Sequence, residues 1–145
     1  MPMPDLARRP IPLLILTASL LLGLWLAWRF VQPVNVTIES VVQDLPLRVE
    51  AAPAQVQARP GSMVRVHFRI QNVDPAGQPV RAVGQVEVLP TAAAPQVEVF
   101  NLTCGGAHTY LPGPEQEYAV NFRVRSLGLL DRRELTLRHL FSPPD

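Results

Sequence analysis

The feature that most constrains this chain is an apolar run close to its start. Residues 11–28, IPLLILTASLLLGLWLAW, contain no charged side chain. At 1.5 Å rise per residue, a helix of this length extends about 27 Å, close to the ~30 Å hydrocarbon core of a bilayer. Adding Phe30 and Val31, on either side of Arg29, lets the helix span. The run therefore predicts one transmembrane helix over residues 11–31.

The residues flanking this run indicate an uncleaved anchor. Arg8 and Arg9 precede it, whereas Arg29 alone follows closely, and an excess of positive charge favours the cytoplasmic side. A cleaved signal peptide is the alternative, but a cut after Ala27 would place Trp25 where a small residue is required. We therefore expect a cytoplasmic tail over residues 1–10, a single-pass helix in the cell inner membrane, and a periplasmic domain from residue 32 onward.

The exported part shows the two-residue period of half-buried strands. In residues 62–70, Val64, Val66, Phe68 and Ile70 alternate with polar or flexible side chains, which is typical of a strand with one solvated face. The predicted strands are 34–42, 47–51, 55–58, 62–70, 80–89, 96–102, 117–125 and 134–141. Short strands at roughly ten-residue spacing predict an all-β fold, an immunoglobulin-like antiparallel β-sandwich over residues 32–141 with a tail at 142–145.

The breaks between these runs carry turn residues. Pro60-Gly61, residues 74–77 (DPAG) and residues 112–114 (PGP) preset or permit turn dihedral angles. Residues 92–95 are interpreted as a loop, and no helical run follows the anchor.

Charge and composition exclude several classes of function. From Arg29 onward the chain carries eleven arginines and eleven acidic residues, so it lacks the basic excess that nucleic-acid binding requires. The single cysteine excludes an internal disulfide and zinc motifs built from cysteine pairs. We find no Ser-His-Asp arrangement with a supporting motif, no glycine-rich phosphate loop and no carboxylate pair spaced for acid–base work. An enzyme is therefore not expected.

A series of short motifs follows the predicted strands in a distinctive order. The motifs are Asp44-Leu45-Pro46, Arg59-Pro60-Gly61, residues 84–90 (GQVEVLP), residues 99–104 (VFNLTC), Leu111-Pro112-Gly113, residues 118–122 (YAVNF) and residues 135–141 (LTLRHLF). Together with the anchor, this series resembles the CtaG family of cytochrome c oxidase assembly proteins. The resemblance implies a membrane-anchored immunoglobulin-like domain that helps insert copper into the CuB centre. It also implies, as a partner, cytochrome c oxidase subunit I or its assembly intermediate.

The chain departs from the family at the metal ligands. The family has two cysteines separated by one aromatic residue after its Phe-Asn pair, whereas Phe100-Asn101 is followed here by one cysteine, Cys104. Counted back from Pro112, Cys104 matches the second family cysteine; counted forward from Asn101, it lies one place short of the first. Tyr118 stands where the family has a methionine.

Cys104 and His108 are the candidate metal ligands that remain. Cu(I) prefers thiolate or thioether donors, usually two or three of them, and one cysteine supplies only one. The resemblance implies that two chains associated through the Cys104 edge can share a copper ion. Within one chain, His108 is the nearest further donor, across the Gly105-Gly106 turn. More distant donors are Met63 and His67, on the polar face of their strand.

Several alternatives stay open on sequence alone. Cys104 can simply pack where a strand ends, with His108 solvated in a loop, or it can form an intermolecular disulfide in the oxidising periplasm. His139 alternates with Leu135, Leu137 and Phe141, which favours a core or rim histidine over a ligand. The alternative functions are a metal-free structural accessory subunit or scaffold of a haem-copper oxidase, and an unrelated periplasmic binding domain.

Overall fold

The computed structural model describes residues 11–100, 106–126 and 132–144. One α-helix is followed by strands and a short 3₁₀ helix. In chain order the elements are α1 (Ile11–Val31), β1 (Val34–Val42), β2 (Leu47–Ala52), β3 (Gln55–Ala58), β4 (Met63–Asn72), β5 (Val80–Leu89), the 3₁₀ helix (Thr91–Gln96), β6 (Val97–Phe100), β7 (His108–Tyr110), β8 (Gln116–Val124) and β9 (Glu134–Ser142).

The strands form two sheets that enclose a common core. One sheet has the order β3-β1-β9-β5-β7 and the other has the order β2-β4-β8-β6. Side chains from both sheets meet in the interior, where Val36 and Leu137 of the first sheet pack in one cluster with Phe68 and Phe122 of the second. The predicted β-sandwich is therefore confirmed at the level of its two packed sheets.

The alternating pattern places the expected side chains in the core. Val66, Phe68 and Ile70 of β4 are buried, and Val64 is half-buried. The same alternation in β8 buries Val120, Phe122 and Val124. Each large apolar side chain removed from water contributes about 1.5–3 kcal/mol, so these alternate positions account for much of the stability of the sandwich.

One strand pair differs from the expected antiparallel arrangement. β1 and β9 run parallel, with Val36 opposite Leu135 and Val42 opposite Phe141. A parallel pair needs a long connection, and here the intervening strands supply it by crossing between the two sheets. Every other strand pair in the described residues is antiparallel.

Two local elements also differ from expectation. Residues 92–95 lie within a 3₁₀ helix, in which the Ala93 amide donates to the Pro90 carbonyl at 2.8 Å and the Ala93 side chain is buried. β7 was not predicted because three residues are too few to display a period. The predicted turns are confirmed: Gly61, Gly77 and Gly113 all adopt positive φ values, which glycine accommodates without steric cost.

The helix α1 has the bounds expected for the apolar run. Most of its described apolar side chains are solvent-exposed; Leu16, for example, is 67% exposed, whereas Leu26 is half-buried. Over the described residues, no helix combines the length and the apolar character needed to cross a membrane.

Candidate functional site

Of the two predicted metal ligands, the structure places one. His108 is exposed at the start of β7, the edge strand of the five-stranded sheet, and pairs with Ala82 of β5. Cys104 lies outside the described residues, so its relation to His108 stays a prediction from the sequence. Met63 and His67, the more distant candidate donors, lie on β4 in the other sheet.

His108 lies at the mouth of a cavity between the two sheets. The cavity has a volume of about 190 Å³ and is formed where β7 faces the start of β8. Its lining consists of Gly84, His108, Thr109, Tyr110, Gln116, Glu117, Tyr118, His139 and Phe141. Polar groups at the mouth and aromatic rings further in give it the composition of a small-molecule site.

The polar centre of this cavity is a histidine–tyrosine pair. His139 of β9 is only 2% exposed, and its Nδ1 lies 2.9 Å from the Tyr118 hydroxyl. Burial lowers the pKa of His139 to about 4, because desolvation disfavours the charged imidazolium. The ring is therefore neutral near pH 7, and its Nδ1 shares a hydrogen bond with the Tyr118 hydroxyl. The expectation that His139 belongs to the core or its rim is confirmed.

Aromatic rings surround this pair. The His139 ring stacks on Phe141 at a centroid distance of 4.6 Å and meets the edge of Phe68 at 4.9 Å. Tyr118 in turn stacks on Phe68 at 5.3 Å. Edge-to-face and offset arrangements of this kind are favourable for aromatic quadrupoles. They fix the imidazole orientation, so its second nitrogen has a defined direction.

That second nitrogen faces a glycine. A Cβ atom built on Gly84 of β5 would lie 2.9 Å from Nε2 of His139, which is closer than real Cβ atoms approach other atoms. The φ angle of Gly84 lies outside the left-handed region, so backbone conformation does not require glycine at this position. Its missing side chain instead provides the room in which Nε2 sits.

A buried amide fixes the strand that carries His108. Asn72, at the end of β4, is 7% exposed, and its Nδ2 donates to the carbonyl oxygens of Tyr110 at 2.9 Å and Gln78 at 2.8 Å. Its Oδ1 accepts from the Asp74 amide at 2.9 Å. The short strand β7 is therefore held by a side chain from the opposite sheet as well as by its pairing with β5.

The outer face of the four-stranded sheet is a separate polar surface. His67 Nδ1 lies 2.8 Å from a Glu117 carboxylate oxygen, and Arg69 lies 3.5 Å from Glu115. Met63 is 55% exposed on the same face. Nowhere in the described residues do three or more His, Cys, Asp or Glu side chains converge into a group able to hold a metal ion.

A larger depression lies elsewhere on the five-stranded sheet. It has a volume of about 880 Å³ and is lined by residues of β1, β3 and β9, with Leu89 and Pro90. Its one titratable lining residue, Glu134, is exposed. We therefore regard the smaller cavity, with its buried imidazole, as the better candidate site.

Sequence reasoning did not bring together the residues that form this cavity. Tyr118 and His139 lie on strands of different sheets, and the pattern within one strand does not specify its neighbour across the core. Their inward positions were visible, because each follows the alternation of its own strand. No protein-family model matches this chain, and no curated protein matches it at a significant level.

Proposed function

We propose that this protein is a membrane-anchored assembly factor of cytochrome c oxidase that takes part in copper insertion into the CuB centre, with Cu(I) as its cargo. The observation that supports the proposal is the order of motifs, which resembles that of the CtaG family; several of these motifs lie on strands of the sandwich. GQVEVLP lies on β5 and the residue after it, YAVNF on β8 and LTLRHLF on β9. The sandwich is accordingly proposed to be immunoglobulin-like.

The proposed cargo ligands are Cys104 and His108. His108 presents an exposed imidazole at the end of the five-stranded sheet, four residues after the only cysteine of the chain. A thiolate and a neutral imidazole are both donors that copper accepts. A single thiolate is too few sulfur ligands to bind Cu(I) tightly. We therefore propose that a second copy contributes its own Cys104 through the same edge, which gives a homodimer that shares one ion.

The helix α1 is proposed to be the membrane anchor over residues 11–31. Exposed apolar side chains support this assignment: Leu16, Leu20 and Trp28 are all more than half exposed. The helix then lies in the cell inner membrane, with the polypeptide before it in the cytoplasm and the sandwich in the periplasm. Reporter fusions test this topology: a periplasm-dependent phosphatase joined after residue 144 should be active, and the same reporter joined after residue 10 should be inactive.

Copper binding is tested by titrating the full chain, in detergent micelles and without oxygen, with Cu(I) against a competing chelator. We expect one ion per two chains and at least a tenfold weaker affinity for Cys104→Ser, since a lost donor costs about 1.4 kcal/mol or more. His108→Gln should weaken binding as well. His67→Gln is the matched control, because this histidine lies on the other sheet and is bonded to Glu117. Equal affinity for wild type and Cys104→Ser would remove the proposed cargo site.

A metal-free scaffold or accessory subunit is the second candidate. The feature that favours it is the single cysteine in place of the family pair, because a protein that only binds an oxidase subunit needs the sandwich but no thiolate ligands. A tagged chain that purifies in a fixed ratio with mature oxidase would support this role. Transient association with copper-deficient oxidase alone would support copper insertion instead. If deletion leaves oxidase activity unchanged, the third alternative, an unrelated periplasmic binding domain, becomes the better account.

A further inference from the structure

We propose that the cavity between β7 and β8 binds a small phenol-sized aromatic molecule, whose ring packs against the rings of Tyr110, Tyr118 and Phe141 and whose oxygen bonds to Nε2 of His139. This inference goes beyond the proposed copper function and does not rest on it. It assigns a ligand to a cavity whose inner residues take no part in the proposed cargo site.

The first argument is a buried imidazole nitrogen that has only a long contact. The Tyr118 hydroxyl oxygen lies 2.9 Å from Nδ1 of His139 and 3.4 Å from Nε2. Because the hydroxyl bonds to Nδ1 at the shorter distance, Nε2 keeps the capacity to bond to a ligand oxygen, as donor or acceptor according to the tautomer. A buried polar nitrogen gains free energy when an incoming oxygen gives it a shorter hydrogen bond.

The second argument is the size and lining of the cavity. An apolar cavity of about 150 Å³ holds benzene, and this one measures about 190 Å³, which leaves room for one ring and one oxygen. Tyr110, Tyr118 and Phe141 line it, and a ligand ring can pack against these rings in edge-to-face or offset geometry. The surroundings disfavour a charged ligand, since the buried imidazole beside it is itself held neutral.

The third argument is the glycine beside Nε2. A methyl group at position 84 would displace the His139 ring, because the Cβ atom would lie 2.9 Å from Nε2. Glycine therefore lets the imidazole occupy the position in which it lines the cavity. Gly84→Ala tests the site directly, since the backbone at this position tolerates alanine.

The experiment uses the full chain in detergent micelles with ¹⁵N-labelled histidine rings, and phenol as the probe. We expect saturable changes in the His139 ring signals, with magnetisation transfer from phenol protons to Phe141 and Tyr110. Gly84→Ala should weaken phenol binding at least about tenfold, as expected when a hydrogen bond and ring contacts are both lost.

Gly106→Ala is the matched control, because a Cβ atom there meets nothing within 4 Å and the φ angle is not left-handed. It should bind phenol as wild type does. If Gly84→Ala does not fold, the wild-type measurement decides alone: absence of saturable shifts at His139, or of transfer to Phe141, overturns the proposal. Benzene binding as tightly as phenol overturns the assigned hydrogen bond. Cys104→Ser should leave phenol affinity unchanged, so this test and the copper titration fail independently.

Discussion

The side-chain amide of Asn72 donates to the main-chain carbonyl of Tyr110 at 2.9 Å, joining the end of β4 in one sheet to β7 at the edge of the other. β7 is three residues long and pairs only with β5 in the described part of the chain. A strand this short has few ladder hydrogen bonds of its own. Asn72 therefore supports the wall on which His108 and Tyr110 are presented.

Asn72→Asp should destabilise the protein by about 3 kcal/mol, because the buried Tyr110 carbonyl and the partly buried Gln78 carbonyl lose their donor and face a carboxyl group instead. Denaturant titration of the full chain in micelles measures the loss. Amide exchange should also accelerate at residues 108–110 more than in β4. Asn35→Asp is the control: Asn35 is exposed on β1, and its change should stay within about 0.5 kcal/mol. Equal losses in both variants would contradict the bracing role.

The free energy of unfolding should depend on the protonation of His139. Its pKa is lowered by burial to about 4, whereas an unfolded histidine titrates near 6.5. Between these two pH values the histidine is protonated in the unfolded chain but not in the folded chain. The free energy of unfolding therefore falls as the pH falls from about 7 to about 4, by about 3 kcal/mol from this group. Below pH 4 the histidine is protonated in both states and no longer changes the free energy of unfolding with pH.

His139→Gln removes this group and should give a shallower pH dependence over the same range, despite lower stability at pH 7. Denaturation midpoints of the full chain measured at several pH values give the two curves. His108→Gln, which alters an exposed histidine, should keep the wild-type slope. Parallel curves for wild type and His139→Gln would show that the native ring does not resist protonation.

Tyr118→Phe should lower the free energy of unfolding by about 1–3 kcal/mol, because it leaves Nδ1 of His139 buried and without its hydrogen-bond partner. The loss should shrink in a His139→Gln background if the two groups act as a pair. A double-mutant cycle on unfolding free energies measures this coupling, expected at about 1 kcal/mol. Additive losses would mean that the hydroxyl stabilises the fold independently of the imidazole.

Core packing can be tested on β8 and β4. Phe122 is fully buried, so Phe122→Ala should destabilise the protein by about 3–5 kcal/mol through lost burial and a residual cavity. Met63→Ala, on the exposed face of β4, is the comparison and should change stability by about 0.5 kcal/mol or less. Similar losses at the two positions would contradict the assignment of inner and outer faces.

The strands most visible in the sequence were those with long alternation. Val66, Phe68 and Ile70 identify β4 and its buried face because a period of two has only one explanation over that length. β7 could not be predicted, because His108–Tyr110 is too short to show a two-residue period. The parallel β1–β9 pairing was also missed, since it depends on how the chain crosses between sheets, which no local pattern records.

The cavity was less predictable than the strands. The sequence predicts inward positions for both Tyr118, which stands in place of a family methionine, and His139, but it does not predict that the two side chains meet. Their contact depends on two sheets packing at one distance and angle, which sequence spacing does not encode. Gly84 gave no signal either, because a glycine inside a strand has several explanations, and only the approach of Nε2 identifies which one applies.

The parallel alignment of β1 with β9 fixes the distance between the end of α1 and the candidate site. β1 begins three residues after α1 ends, and its far end lies level with Phe141 and Gly84, about 26 Å along the sheet at 3.3 Å per residue. His108 pairs with Ala82, two residues before Gly84 on β5. The sheet therefore holds His108 at the end opposite to the one at which α1 enters.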